Sequence, residues 1–401
     1  MHQIKCPDCG NTLPTERIMQ DRATGNARGQ CQKCKKLVPI LLPSIRKKLI
    51  YLDQSFLSAA SLRADSDKSQ SEVRILSKLR ELKALQRVFV VISDIHSRET
   101  SSFQDECTGK ILWQFQNDLA DGNIAADWDE VFVAQWQRIL ADKDNSNIFP
   151  TSDIGINNPH RFQIGMRVQP TNHWRQRLHR GDASTRDEVN KFFHSVFDRR
   201  LIGMPSAENA YDCVSYVYEI WHKEIQEGII SWQKRRDLHL PMRQAVKELE
   251  AGPIPALPPY EKPSPFCQIV GEVAQGSNED VSLQAWLKLL DEKPANWSAY
   301  VRIRAAFEAA LLWKYKMDGA PSNPDKFNTR FGRSRQNDID HVSMFVPYVD
   351  ALTTDKDMHN LCENEVVAGE LRQFPCKLFS KNNYNEFETW LDALLSGSVD
   401  S

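Results

Sequence analysis

The chain has 401 residues, 41% hydrophobic and 26% charged, with a formal net charge of −2. That length and apolar content fit two or three domains with a buried core, and they exclude both a disordered chain and a uniformly basic nucleic-acid coat. No run of about 18 apolar residues occurs, which argues against a membrane-spanning helix, and the start MHQIKCPDCG lacks the apolar stretch of a secretory signal. A cytoplasmic location without a membrane partner is the expectation.

Residues 1–48 hold ten Lys or Arg against three Asp or Glu, a local charge of +7, so the remaining residues sum to −9. Cys6-Pro7-Asp8-Cys9 and Cys31-Gln32-Lys33-Cys34 supply four thiolates from two tight knuckles with 21 residues between them. Zn²⁺ prefers tetrahedral sulfur, and a closed four-thiolate site is structural rather than catalytic. This part resembles a zinc ribbon, placed at residues 1–44. A module so small buries little surface, so Zn²⁺ would supply most of its folding energy. Its positive charge suits phosphate contact, and such ribbons also dock protein partners. Cys107, Cys213, Cys267, Cys362 and Cys376 show no ligand spacing and are expected as small buried hydrophobes.

The run from Lys48 to Asp53 (KLIYLD) reads as a buried strand ending in a carboxylate. Residues 68–86, with Val73, Leu76, Leu79, Leu82 and Leu85, fit one helix face. Arg87 to Ser93 is continuous and β-branched, as in a parallel strand covered on both faces. This β–α–β order predicts a right-handed crossover and an α/β sheet. Residues 101–300 read as mostly helical, broken at 161–168 and at the Pro-rich stretch 252–265. A strong helix is expected over 299–317, a helix from Asp338 to Val346, and a strand from Tyr348 to Thr353. A helix beginning at Asp355, a strand at 377–380 and a closing helix at 385–395 complete the pattern.

Asp53, Glu99, Asp338 or Asp340, and Asp355 each follow an apolar strand or open a helix. Strand C-termini of an open parallel sheet share one edge, where ligands bind. That geometry makes Asp53 and Asp355 neighbours despite their separation. Convergent carboxylates need a cation to offset their repulsion, and hard oxygen donors suit Mg²⁺ or Mn²⁺.

From Lys48 onward the chain resembles PIN-like nuclease domains. The resemblance rests on the acid after the first strand in Leu52-Asp53 and the helical acid in His96-x-x-Glu99-Thr100. It continues with the late pair in Asn337-Asp338-Ile339-Asp340, the strand-end Thr354-Asp355-Lys356 and the preceding Val346-Pro347-Tyr348-Val349-Asp350. It covers residues 48–100 and 300–395. It implies a PIN-like domain over 45–401, a parallel sheet flanked by helices, interrupted by a mostly helical insertion at 101–298. It also implies metal-dependent endonucleolytic cleavage of phosphodiester bonds, most often in single-stranded RNA. By this resemblance Asp53, Glu99, Asp340 and Asp355 are the Mg²⁺ or Mn²⁺ ligands. Asp338 is the rival of Asp340 and could equally cap the helix start. Ser55 and Thr354 would hold the carboxylates by hydrogen bonds. Asp94 and Asp350 read as structural acids, and His96 as either a phosphate-orienting or a structural histidine.

Residues 161–200 carry nine Lys or Arg and four acids. Arg175, Arg177 and Arg180 lie there among Trp174, His179, Phe192 and Phe193, a mixture suited to single-stranded nucleic acid; a solvated helix face over a core stripe fits equally. Trp232 to Arg236 forms a second such cluster. Neither a Ser or Cys nucleophile motif nor a G-x-x-x-x-G-K-[ST] loop occurs, which disfavours an acyl-transfer enzyme or an ATPase. A DNA-directed nuclease, or a non-catalytic nucleic-acid-binding scaffold on the same fold, are the alternatives.

Overall fold

Two apolar runs distant in sequence, Lys48–Tyr51 and Ala351–Thr353, lie side by side as parallel strands and form the middle of the sheet. The structure, a computed structural model, describes residues 5–12, 18–20, 27–40, 47–62, 69–100, 105–121, 124–141, 149–150, 154, 183–204, 206–249, 266–274 and 279–398. Near the N-terminus, β1 (Ile18–Gln20), β2 (Ala27–Gln30) and β3 (Leu37–Ile40) form an antiparallel sheet in that order. The remaining strands are β4 (Lys48–Tyr51), β5 (Val88–Ser93), β6 (Ile124–Ala125), β7 (Ala351–Thr353) and β8 (Lys377–Phe379). They form one parallel sheet in the order β6-β5-β4-β7-β8. The chain starts at the centre, winds outward to one edge, and returns to wind outward to the other.

Alternation along the strands divides the core. Ile50, Leu52, Val88, Val90, Ala351 and Phe379 face one way. There they meet α1 (Gln54–Leu62), α2 (Gln70–Ala84), α4 (Glu106–Leu119) and the closing α15 (Tyr384–Ser396). Tyr51, Val91 and Leu352 face the other way, into a larger core. That side is built by α3 (Asp94–Thr100), α5 (Trp128–Ala141), α6 (Ala183–Gly203), α7 (Ala210–Leu249), α8 (Cys267–Ala274) and α9 (Glu279–Leu290). The later helices α10 (Ala299–Met317), α11 (Pro324–Phe331), α12 (Arg333–Phe345), α13 (Lys356–Cys362) and α14 (Glu365–Leu371) complete it. The helices between residues 128 and 290 therefore share one core with the sheet. The strand β6 also falls inside the stretch expected to be a helical insertion, and two residues without a long β-branched run gave no signal for it. Among the described residues, no helix is long and apolar enough to cross a membrane.

Ala-rich α10 is buried almost all round, because small side chains let α7, α12 and α14 approach it closely. Gly271 on α8 serves the same end: a Cβ there would meet the Trp232 ring at 2.6 Å. Trp232 is thus a packing residue, and Arg236 beside it pairs with Asp237 at 3.6 Å. Three expectations shift in detail. In α2 the buried face is Ile75, Leu76, Leu79 and Leu82, while Leu85 is 51% exposed, since three-residue spacing drifts around a helix of 3.6 residues per turn. The late helix begins at Arg333, not Asp338. The strand expected from Tyr348 starts only at Ala351, because Tyr348 and Val349 still donate to the Phe345 carbonyl. Of the five cysteines outside the knuckles, Cys213, Cys267 and Cys362 are buried, Cys376 is partly buried, and Cys107 is exposed.

Asp350 sits at the opposite end of the sheet from the strand C-termini. Its carboxylate accepts from the Leu49 N–H and from Lys48 Nζ, both at 2.9 Å, and so ties β7 to the start of β4. Removing it leaves a half-buried N–H and ammonium without their acceptor. Asp350→Ala should lower unfolding free energy by about 1–3 kcal/mol in urea titrations, with the far-ultraviolet spectrum unchanged.

Candidate active site

The strand order reverses between β4 and β7, so a crevice opens at their C-terminal ends. Asp53 follows β4 there and Asp355 follows β7. The register pairs Tyr51 with Leu352, so the two chains leave the sheet together. Thr353 locks them. Its Oγ1 accepts from the Asp53 N–H at 2.9 Å and lies 3.1 Å from Asp53 Oδ1, to which it donates. Ser55 Oγ donates to Asp53 Oδ2 at 2.7 Å, and the Phe56 N–H to Oδ1 at 3.2 Å. Ser55 therefore has the place expected of it, whereas Thr353 rather than Thr354 holds Asp53. Burial pushes the Asp53 carboxyl above its ordinary range against these hydrogen bonds, and the charge of Asp355 adds to the rise.

His96 is fully buried beneath Asp53. Its Nδ1 accepts from the Ser93 N–H at 3.0 Å, and its Nε2 donates to the Leu52 carbonyl at 2.7 Å. Both ring nitrogens are occupied, so the histidine fixes the backbone before Asp53 and has no free nitrogen for a phosphate. Burial lowers its pKa to about 4. The unfolded chain, at about 6.5, takes the proton first, so this group withdraws stability as pH falls from about 6.5 to about 4.

Glu99 projects from α3. Asn337 Nδ2 lies 3.4 Å from its Oε1. At the end of α3, Thr100 joins Gln54 of α1 (2.9 Å) and Gln116 of α4 (3.2 Å), which holds three helices in register around the crevice.

The paired acids on α12 separate. Two positions on a helix differ by about 200°, so Asp338 and Asp340 point to opposite sides. Asp338 faces the others: burial pushes its carboxyl well above the ordinary range, with Asp355, Glu99 and Asp53 all adding to the rise. Asp340 faces away, accepting from Tyr300 Oη at 2.8 Å and ion-paired with Arg304. The structure thus brings together Asp53, Glu99, Asp338 and Asp355, and it reverses the preference for Asp340. Asp338 is not the helix cap either, since Gly332 holds that position. Asp355 does cap a helix, accepting the Met358 N–H at 2.5 Å at the start of α13.

Arg335, Asn337 and Thr353 also belong to this site, although sequence reasoning did not select them. Arg335 lies one turn before Asp338, and its Nη1 is 3.8 Å from Asp338 and 3.6 Å from Asp355. Helical spacing from Asp338 was the available signal.

The second constellation lies in the N-terminal module. Each knuckle folds alike, with the Cys6 and Cys31 carbonyls accepting from the N–H of Gly10 and Lys35 at 2.9 Å. Gly10 and Lys35 both have positive φ, +69° and +59°. The sulfurs converge, with Cys6 and Cys34 at 3.6 Å and Cys9 and Cys31 at 3.5 Å. A tetrahedron with bonds of about 2.3 Å has edges of about 3.8 Å, so the set is compatible with zinc. The Cys34 N–H, directed at the Cys31 sulfur, is the chief influence lowering that thiol to about 6. Among the described residues, this is the one group of three or more His, Cys, Asp or Glu with ligand atoms all within 4.8 Å. No three of the crevice carboxylates form such a group. Their hard oxygens and mutual repulsion nevertheless fit a divalent cation.

Arg175, Arg177 and Arg180, with Trp174 and His179, lie outside the described residues. Of the basic stretch that is described, Arg200 turns inward to Glu308 (2.9 Å) and Glu224 (3.3 Å). The chain matches no family model, no curated protein and no solved structure.

Asp338→Asn removes a carboxylate whose ionised form the folded chain disfavours. A raised carboxyl pKa lowers stability as pH rises through it, so this variant should melt higher than the parent at about pH 8 without metal. The gain should shrink on acidification, as Asp338 in the parent protonates. A lower melting temperature at pH 8 would mean that pairing with Arg335 outweighs the repulsion.

Proposed function

We propose that this chain is a metal-dependent nuclease of the PIN-like kind, hydrolysing phosphodiester bonds in single-stranded RNA. The observation that carries the reading is the meeting of Asp53, Glu99, Asp338 and Asp355 at the switch point of a parallel sheet. Acids spread over the chain are ordinarily solvated; four brought to one crevice, two of them with raised proton affinity, are better explained by a cation they share.

In this reading Asp53, Glu99, Asp338 and Asp355 hold one or two Mg²⁺ or Mn²⁺ ions. Such ions, when bound, polarise a phosphoryl oxygen and lower the pKa of water. The chain's own contribution is positional. Thr353 and Ser55 aim both oxygens of Asp53, His96 fixes the peptide that carries it, and Asn337 directs Glu99. Such supporting contacts commonly matter 10–100-fold to metal sites. The basic N-terminal module, with Zn²⁺ on Cys6, Cys9, Cys31 and Cys34, would form a zinc ribbon that grips the substrate or a protein partner.

The rival, a nucleic-acid-binding scaffold, draws on the fact that no three of these carboxylates bring their ligand atoms all within 4.8 Å of one another. Labelled single-stranded RNA, single-stranded DNA and duplexes, each incubated with Mn²⁺ or EDTA, distinguish the two. Cleavage of single-stranded RNA with Mn²⁺ and none with EDTA is expected. Asp53→Asn should reduce the rate at least about 100-fold, while Asp340→Asn should act mainly on stability. Full Mn²⁺-dependent cleavage by Asp53→Asn, or binding without cleavage by the parent, would end the nuclease reading.

Elemental analysis should find one zinc per chain. Cys31→Ser should lose it and unfold the N-terminal module while the α/β core keeps its melting transition. Absence of zinc from freshly purified parent protein would refute the assignment.

A further inference from the structure

Arg335 is an unusual place for an arginine. It is 7% exposed, on the first turn of α12, behind the acid crevice. Its guanidinium lies 3.8 Å from Asp338, 3.6 Å from Asp355 and 3.6 Å from Asp357. These are Coulombic distances, longer than the 2.7–3.2 Å of a hydrogen bond. The buried Nη1 has no hydrogen-bond acceptor. A buried guanidinium that forms no fork with any carboxylate is poor value as a structural salt bridge, because desolvation then outweighs attraction. Its position is explained by charge. Among the described residues it is the one cation within ion-pair distance of Asp338 or Asp355. Its charge also counters the acids around Asp338.

Arg335 also lines a cleft of about 660 Å³, with its partner Asp357 and with Lys314, Arg330, Asn360 and Glu363. Asn360 and Glu363 offer acceptors there, whereas Lys314 and Arg330 add positive charge.

We propose that Arg335 is the internal counter-ion of the acid crevice, and that a divalent cation competes with it for the charge of Asp338 and Asp355. This rests on the metal site proposed above and adds a regulation of that site. Without metal, Arg335 keeps the carboxylates together; with metal, its charge opposes binding, so it sets a threshold concentration of cation. Arg335 is therefore a positioning residue and not a ligand.

The test is calorimetric titration of Mn²⁺ into the metal-free parent, Arg335→Gln and Asp53→Asn, with melting temperatures of each. Arg335→Gln should bind Mn²⁺ about tenfold more tightly, because one opposing charge is gone. Its metal-free melting temperature should fall, and the added change Asp338→Asn should recover it. If Arg335→Gln alone does not fold, folding of Arg335→Gln/Asp338→Asn supports the proposal and its failure to fold overturns it. Equal or weaker Mn²⁺ binding by Arg335→Gln also overturns it. These results are separable from the metal site itself: if Asp53→Asn binds Mn²⁺ like the parent, the nuclease reading fails and this inference with it. If Asp53→Asn loses binding but Arg335→Gln is unchanged, only the role of Arg335 falls.

Discussion

Ionisable carboxylates placed side by side at a half-buried sheet edge repel one another and lose hydration, and the surroundings of Asp53 and Asp338 answer that constraint. Burial raises both carboxyls, so neither would stay in place by its own preference. Three kinds of support oppose the strain. Hydrogen bonds from Ser55, Phe56 and Thr353 engage both oxygens of Asp53. The buried His96 anchors the backbone below it. Arg335 lends a positive charge from behind. Each comes from a different element, so the crevice depends on the sheet and the helical layer together.

The helical layer is more than a cover. Arg304 joins Asp340, Glu308 and Gln336, while Arg200 reaches Glu308 from α6, and Trp221 of α7 donates to the same carboxylate at 3.2 Å. This network clamps the outward face of α12, and a helix clamped on one face presents the other in a fixed direction. Asp340 thus contributes to the crevice indirectly, by fixing the rotation that points Asp338 into it. The neighbouring acid, equally plausible by composition, is where the chain invests its structural ion pair.

The α/β plan and three of the four crevice acids were legible in the sequence because they rest on local signals. A continuous β-branched run such as Val88–Ser93 declares a covered strand, and an acid just past such a run falls at a sheet edge. The two cysteine knuckles were legible for a similar reason, since spacing alone brings each pair together. What was not legible depended on tertiary partners. Choosing between Asp338 and Asp340 required knowing that Tyr300 and Arg304 lie on one side of α12. The role of His96 required the Leu52 carbonyl above it, and β6 required β5 as a template, because two residues carry no periodicity. That the helices after residue 128 share a core with Tyr51 and Val91 is likewise a property of the folded sheet, invisible to a reading along the chain.

Thr353 and Asp53 touch across 300 residues of intervening chain. Order of synthesis therefore bears on how the molecule matures. At a typical 5–20 residues per second, a ribosome would need about 15–60 s between Asp53 and Asp355. During that interval β4 has β5 as a neighbour but not β7, and one flank of the central strand is an open edge. The helices made in between have time to collapse on one another, and the crevice closes only when β7 inserts beside β4. A chain interrupted before that point carries Asp53 and Glu99 without their partners. Late insertion of a central strand thus makes assembly of the acids a report on the arrival of β7 beside β4.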